Sequence, residues 1–346
     1  MKNVIKVIIL LIIVLGLGAY LAVMSFNSPL NSEDTTYKTI TIEQGSSTTG
    51  IAETLKEEGI INSVKNFKIL SKLNGYDGEY QAGTYSLSPS MTPTEIGSVI
   101  VTGRVETYAF TIPEGLTIYQ VADKLSEEGL INRDTFVKLL EEGDFQFDFL
   151  ETAQDNENRL EGFLFPDTYK IAYGASEEQI ITTMLNQFDL IFTDEYKARA
   201  DELGMTINEV ITVASIVERE CKHEEDRPRV ASVIYNRLKK GMPLQMCSTV
   251  QYILGEQKTR LSTADTQIES PYNTYVNNGL PPGPIGSPGF SAIVAALYPA
   301  NTDYLYFVVS EKLDGTHNFS SEYNDFLMHK ARYNEALEEY ENEHNE

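Results

Sequence analysis

One carboxylate in this chain stands where a general acid would be placed. Glu218 follows ITVASIV, a run that is apolar on nearly every side, and at helical spacing it stacks on Ala214 and Ile211. Glu220, two residues on, points to nearly the opposite side and is expected to reach solvent. A carboxyl held against apolar neighbours loses hydration, which disfavours its charged form and raises its pKa. Near neutral pH such a group keeps a proton that it can give to a leaving oxygen and later take back. The plainer reading of the same residues is a buried helix that emerges into water and resumes charged residues.

The elements that must hold Glu218 are legible around it. Thr206 and Glu209 form a T-x-x-E capping box, and Met205 with Val210 form a hydrophobic staple, so a helix starts there. Before it come an amphipathic helix over Ser176 to Leu190 and a second over Glu195 to Leu203, ended by Gly204. After it, RPRVASVIYNRLKK (Arg227 to Lys240) reads as a helix capped by Gly241. Between Gly279 and Gly289 four prolines and several glycines set a long loop, and ordered loops of this kind carry function more often than packing.

Composition excludes several alternatives. The 346 residues suggest two domains plus accessory segments, and a formal charge of -24 leaves no basic stripe for nucleic acid. Trp is absent, so stacking on a sugar falls to Phe or to the 20 Tyr. Cys221 and Cys247 make no disulfide framework; they read as small thiols or at most one bridge. With four scattered His and no CxxC, neither a metal site nor a cofactor is expected.

The N-terminus reads as a membrane anchor. Val4 to Met24 carries one charge, Lys6, and about 20 apolar residues span a bilayer core. Lys2 and Lys6 precede the span and Glu33 and Asp34 follow it, which orients the N-terminus to the cytoplasm and the rest outside. A cleavable signal peptide is the rival, but no A-x-A site follows. Residues 1–26 are thus cytoplasmic tip and anchor, and 27–37 a polar linker. An internal repeat comes next. TIEQGSSTTGIAETLKEEGIIN (Thr41 to Asn62) aligns without a gap on TIPEGLTIYQVADKLSEEGLIN (Thr111 to Asn132). Each copy reads as strand, glycine turn, helix closed by Gly59 or Gly129, an Ile-Asn turn and a second helix. Tyr80 to Ser86 and Val105 to Ile112 read as strands paired with each other. The pattern resembles LysM-like glycan-binding modules over 38–150; a purely structural repeat is the alternative. The expected fold class is α+β, with one transmembrane helix, the LysM-like region, and a mixed α+β domain over 151–340.

Taken in order, EGFLFPDTY, VASIVERE, VASVIYNRL, MPLQ, STVQY, YNTY, GLPPGPIGSPG, LYFV and GTHNF resemble the YceG/MltG family of endolytic murein transglycosylases. The resemblance runs from the anchor to about Arg332. It implies that Glu218, the first Glu of SIVExE, is the acid/base of a lytic transglycosylase acting on peptidoglycan strands. The implied reaction cleaves the MurNAc-GlcNAc bond and leaves a 1,6-anhydro-MurNAc end. It also implies termination of nascent strands beside penicillin-binding synthases or the division or elongation complex. Where that family often has Asp, this chain has Cys247, which receives no catalytic role. Glu161, a second carboxylate in one of these motifs, is expected to position substrate or pair with a cation such as Arg237. Gln245, Asn273 and Tyr275 carry amide and phenol groups suited to sugar hydroxyls and N-acetyl groups, and His317 can donate to the same cleft. Each also has a structural reading: a turn Asn, a core Tyr, a satisfied His. The rival to the enzyme is a non-catalytic peptidoglycan-binding scaffold for wall synthases; a second is hydrolysis with water as acceptor. The topology is open to direct test. A protease added outside intact cells should degrade the chain after Asn27, and protection of that region in the cytoplasm would remove the substrate from reach.

Overall fold

The computed structural model describes residue 16 and residues 24–103, 107–154, 156–172 and 175–344. The expected span Val4 to Met24 lies outside the described residues except for Gly16 and Met24. Among the described residues no helix is long and apolar enough to cross a membrane. The chain is α+β, with small two-stranded sheets among many helices. It divides into two compact units, Met1–Phe110 with Tyr169–Ala175, and Thr111–Thr168 with Ser176–Glu346.

In the first unit β1 (Lys38–Ile42), α1 (Thr48–Glu57), α2 (Val64–Leu73), β2 (Gly83–Leu87) and α3 (Pro93–Val101) follow in turn. β1 alternates, burying Ile40 and Ile42 and exposing Thr39 and Thr41, so one face of the sheet meets the core. β2 pairs with it antiparallel, Ile40 opposite Tyr85. Ile51, Leu55, Phe67 and Ile96 complete that core. α1 opens on Ser47, whose side chain accepts from the Gly50 N–H, and closes on Gly59 at φ 67°. The Gly59 and Ile60 N–H groups reach back to the Lys56 and Leu55 carbonyls at 3.1 and 2.8 Å, which satisfies the helix end in the left-handed closure that glycine permits.

The strand pairing differs from the sequence expectation. β2 does not pair with β3 (Thr107–Thr111); β3 pairs with β4 (Thr168–Ala172). The reason is side-chain alternation: β1 and β2 bury Ile40, Ile42, Tyr85 and Leu87 in one core, whereas the Phe110 ring of β3 packs 5.4 Å from Tyr169 of β4. Each copy of the repeat therefore runs strand, helix, helix, and ends in a strand that pairs with its first. The second copy continues from β3 into α4 (Ile118–Glu127) and α5 (Arg133–Glu142), and these helices belong to the second unit.

The rest of the second unit comprises α6 (Glu177–Ile191), α7 (Asp194–Leu203), α8 (Ile207–Glu220), α9 (Arg227–Lys239), α10 (Cys247–Leu254), α11 (Phe290–Leu297), β5 (Tyr306–Val309), β6 (His317–Ser320) and α12 (Tyr323–His344). The capping box at Thr206 forms as expected, and Gly204 ends α7 in the left-handed region. α8 buries every residue from Val210 to Val217 and packs against α7, α9, α10 and α11. A run apolar all round needs partners on all sides, and these helices supply them. Gly162 shows why EGFLF reads as it does. At φ +86° it lies under Pro284 and Ile211, and a Cβ there would fall 2.5 Å from Pro284 and 2.9 Å from Ile211. Phe163 beside it joins Phe149 and Phe188 in an aromatic core with ring centroids 4.6 to 5.4 Å apart.

Candidate active site

Four polar side chains of α8 meet one loop. The Asn208 amide donates to the Pro282 carbonyl at 3.2 Å, the Ser215 hydroxyl accepts from the Ile285 N–H at 3.0 Å, and Arg219 donates to the Ile285 carbonyl at 2.9 Å. Glu218 accepts from the Gly289 N–H through Oε2 at 3.0 Å. The loop's prolines fix its φ angles and remove donors, and the N–H groups of Ile285, Ser287 and Gly289 are used to fasten it. A further strap ties it down: Gly115 N–H donates to the Ser287 carbonyl at 2.7 Å and Ser287 N–H to the Leu116 carbonyl at 2.8 Å.

Glu218 is held on its other oxygen by Arg227 at the start of α9, with Nη2 2.7 Å from Oε1. The two side chains are 8% and 6% exposed. Glu114, from the loop before α4, approaches the same Nη2 at 3.6 Å and is 48% exposed. Burial pushes the Glu218 carboxyl up to about 7; Arg227 pulls it down, Glu114 pushes it up, and the Gly289 N–H pulls it down. Nε and Nη1 of Arg227 have no partner among the described residues. The arrangement suits a group that carries a proton near neutrality and whose charged form, once made, is met by a guanidinium and a backbone N–H.

A cavity of about 550 Å³ in the same unit is lined by Glu220, Arg237, Gln245, Cys247, Tyr275 and His317, among others. Glu220 does not simply face solvent as its spacing suggests: it accepts from the Ser248 N–H at 2.8 Å and lies on the cavity wall. Glu218 is not among the lining residues.

A family model, the YceG-like family, matches residues 40–332. The chain belongs to the YceG-like family. A protein of Bacillus subtilis named endolytic murein transglycosylase is 36% identical over 329 residues, 91% of this chain and 90% of that protein. One of the same name from Streptococcus pneumoniae serotype 2 is 31% identical over 320 residues, 85% of this chain but 58% of its own length. The crystal structure of a yceG-like protein from Listeria monocytogenes, 34% identical, covers 84% of this chain and 98% of its own with a TM-score of 0.57.

In this YceG-like chain the residues singled out from sequence separate into two groups. Arg237, Gln245, Tyr275 and His317 share the cavity wall. Gln245 adopts φ 53°, a left-handed backbone uncommon for a side chain of that size, and its N–H donates to the Thr274 carbonyl at 3.0 Å. The Tyr275 hydroxyl lies 3.1 Å from Cys247 Sγ. Burial lowers the pKa of His317, whose Nδ1 is 3.5 Å from Asp226 Oδ2. Glu161 and Asn273 lie elsewhere. Asn273 is fully buried, donating to the Thr266 and Ile268 carbonyls at 3.2 and 2.8 Å and accepting from the Tyr275 N–H at 2.9 Å. Glu161 does not pair with Arg237. It accepts from the Ile118 N–H and the Tyr252 hydroxyl, both at 3.3 Å, at the N-terminus of α4. Arg237 instead donates to the carbonyls of Leu305, Leu244 and Pro243 at 2.6, 2.7 and 3.2 Å. Both cysteines are free, Cys221 buried and Cys247 exposed, so no bridge forms. Glu114 and Arg227 do not stand out in the sequence: one reads as a turn residue, the other as an ordinary helix start.

Complete burial pushes Glu161 up to about 8, against the opposing pull of the Ile118 N–H, the Tyr252 hydroxyl and Arg219. Its folded-state pKa lies above its unfolded one, so its contribution to stability is full below the ordinary carboxylate value of 4.5 and is lost as pH rises through about 8. Thermal melts from pH 5 to pH 9 should show the wild-type midpoint falling, and Glu161→Gln falling less. Parallel profiles would show that Glu161 is charged throughout.

Proposed function

We infer that this chain is an endolytic murein transglycosylase in which Glu218 is the single acid/base group. One observation carries the reading: a nearly desolvated carboxyl at the end of a buried, mostly apolar helix, facing a buried guanidinium and a backbone N–H. A carboxyl placed to hold a proton near neutrality, with a guanidinium and an N–H to meet its charged form, suits proton transfer better than strand binding alone.

Glu218 gives its proton to the glycosidic oxygen between MurNAc and GlcNAc as that bond breaks. The carboxylate left behind is held by Arg227 and Gly289 N–H. The C6 hydroxyl of the same MurNAc then attacks its own anomeric carbon, and Glu218 takes the hydroxyl proton. The nucleophile is intramolecular and already close, so a second carboxylate of the usual glycosidase kind is not needed. The product end is 1,6-anhydro-MurNAc. Gln245, Tyr275 and His317 would meet sugar hydroxyls and N-acetyl groups along the cavity, with Arg237 shaping its wall.

The reading extends to place and partners. The apolar span from Val4 to Met24 would anchor the chain, with the cutting unit outside the cytoplasmic membrane. Both repeats would act as LysM-like contacts to glycan, and wall synthases would supply the nascent strands. What supports this is the sequence pattern at the N-terminus and the shared strand, helix, helix, strand order of the two copies.

A second assignment has its own observation. Glu220, not Glu218, lines the cavity. Replacing each by Gln separates the two. Acid/base catalysis contributes about 10²–10⁴-fold, so Glu218→Gln should lower turnover of uncrosslinked strands by at least that order, with folding intact. Glu220→Gln should cost less than about tenfold, as expected for one contact on the cavity wall rather than the acid/base group. The reverse ranking would move the acid/base role to Glu220.

A further inference from the structure

We propose that Glu114 is a positioning residue that keeps the site's proton on Glu218 by occupying the same guanidinium. The proposal rests on the reading of Glu218 as the acid/base group. Arg227 Nη2 stands 2.7 Å from Glu218 and 3.6 Å from Glu114. One positive charge thus faces two carboxylates. With both ionised the trio carries a net negative charge in a place where Glu218 and Arg227 are almost out of water; with one proton added it is neutral. The proton settles on the carboxyl that is harder to hydrate. That is Glu218, at 8% exposure, rather than Glu114, at 48%.

The other charged groups nearby do not take over this balance. Arg219 on α8 turns to the Ile285 carbonyl, and Glu220 turns to the Ser248 N–H. The Cys221 thiol donates to the His223 carbonyl, and burial raises its pKa, so it stays neutral. Asp226, beside Arg227, is engaged by the His317 N–H and by Arg229. The loop at the start of α11 presents the uncharged Gly289 N–H.

Two independent features point to the same residue. A Cβ at Gly289 would collide with the Glu114 carboxylate, so the loop's glycine is the space that carboxylate fills. In the internal repeat, TIPEG of the second copy aligns on TIEQG of the first, which sets Glu114 against Gln44. The copy that meets Glu218 carries the acid; the copy in the other unit carries the neutral amide.

The direct test follows the Glu218 carboxyl carbon by ¹³C NMR titration of the full chain in detergent, assigned by its loss in Glu218→Gln. In Glu114→Gln, Arg227 is left to Glu218 alone, and the midpoint should fall by about one pH unit. In Glu114→Asp, which keeps the charge, it should fall less. An unmoved midpoint in folded Glu114→Gln overturns the proposal. The pH profile of kcat/KM on uncrosslinked strands is the second readout. Its alkaline limb should move down with the midpoint, giving about a tenfold loss near pH 8, in kcat more than in KM. A uniform loss at every pH would mark a merely structural residue and also overturn it. Full activity in Glu218→Gln would sink the acid/base reading, while the midpoint comparison would still decide the role of Glu114.

Discussion

The site depends on a helix that is apolar on nearly every side and aims four polar side chains at one loop. Burying Val210 to Val217 needs neighbours all round α8, and that packing leaves Asn208, Ser215, Glu218 and Arg219 fixed in direction. Each of them meets the backbone between Pro282 and Gly289. The prolines make that segment stiff before it is bound, and α8 needs to supply only a few hydrogen bonds to place it. Gly162 under Pro284 and the strap from Gly115 and Leu116 close the remaining sides. The Glu218 carboxyl is therefore part of the same fastening that shapes its surroundings, so its position is set by packing rather than by a flexible loop.

Two buried carboxyls in this unit solve the same electrostatic problem differently. Glu161 has hydrogen bonds and feels Arg219 without a direct ion pair to it, and burial raises its pKa further, to about 8. It joins EGFLF to the first turn of α4, a structural use of a neutral acid. Glu218 has an adjacent guanidinium and comes to about 7. Arg227 lets it ionise when a proton is needed elsewhere, and Glu114 limits how far that help goes. Only the second arrangement is poised to give and retake a proton near neutrality.

Much of this was legible in the residues, and the gaps have physical reasons. The capping box at Thr206, the glycine closures at Gly59 and Gly204, and the buried face of α8 are local features, set by nearest neighbours in the chain. The apolar run before Glu218 carried its burial. Strand partners were not local: β2 and β3 both look like good strands, and only the distant β1 and β4 decide which pairs form. Arg237 and Glu161 were bound to look like complementary charges, since sequence does not reveal that backbone carbonyls already occupy the guanidinium. Glu220 read as solvated because helical spacing gives direction but not what lies there, and the cavity is made by α10, β5 and α12. Glu114 was hidden in a turn, with its one difference from Gln44 as the available signal.

The central claim is that one carboxyl cuts the strand with the sugar's own hydroxyl as nucleophile, without water. Running the reaction on uncrosslinked strands in H₂¹⁸O and weighing the new ends tests it most directly. The account predicts anhydro ends, lighter by one water than reducing ends and free of ¹⁸O. Reducing ends that carry ¹⁸O would contradict it and make the enzyme a hydrolase.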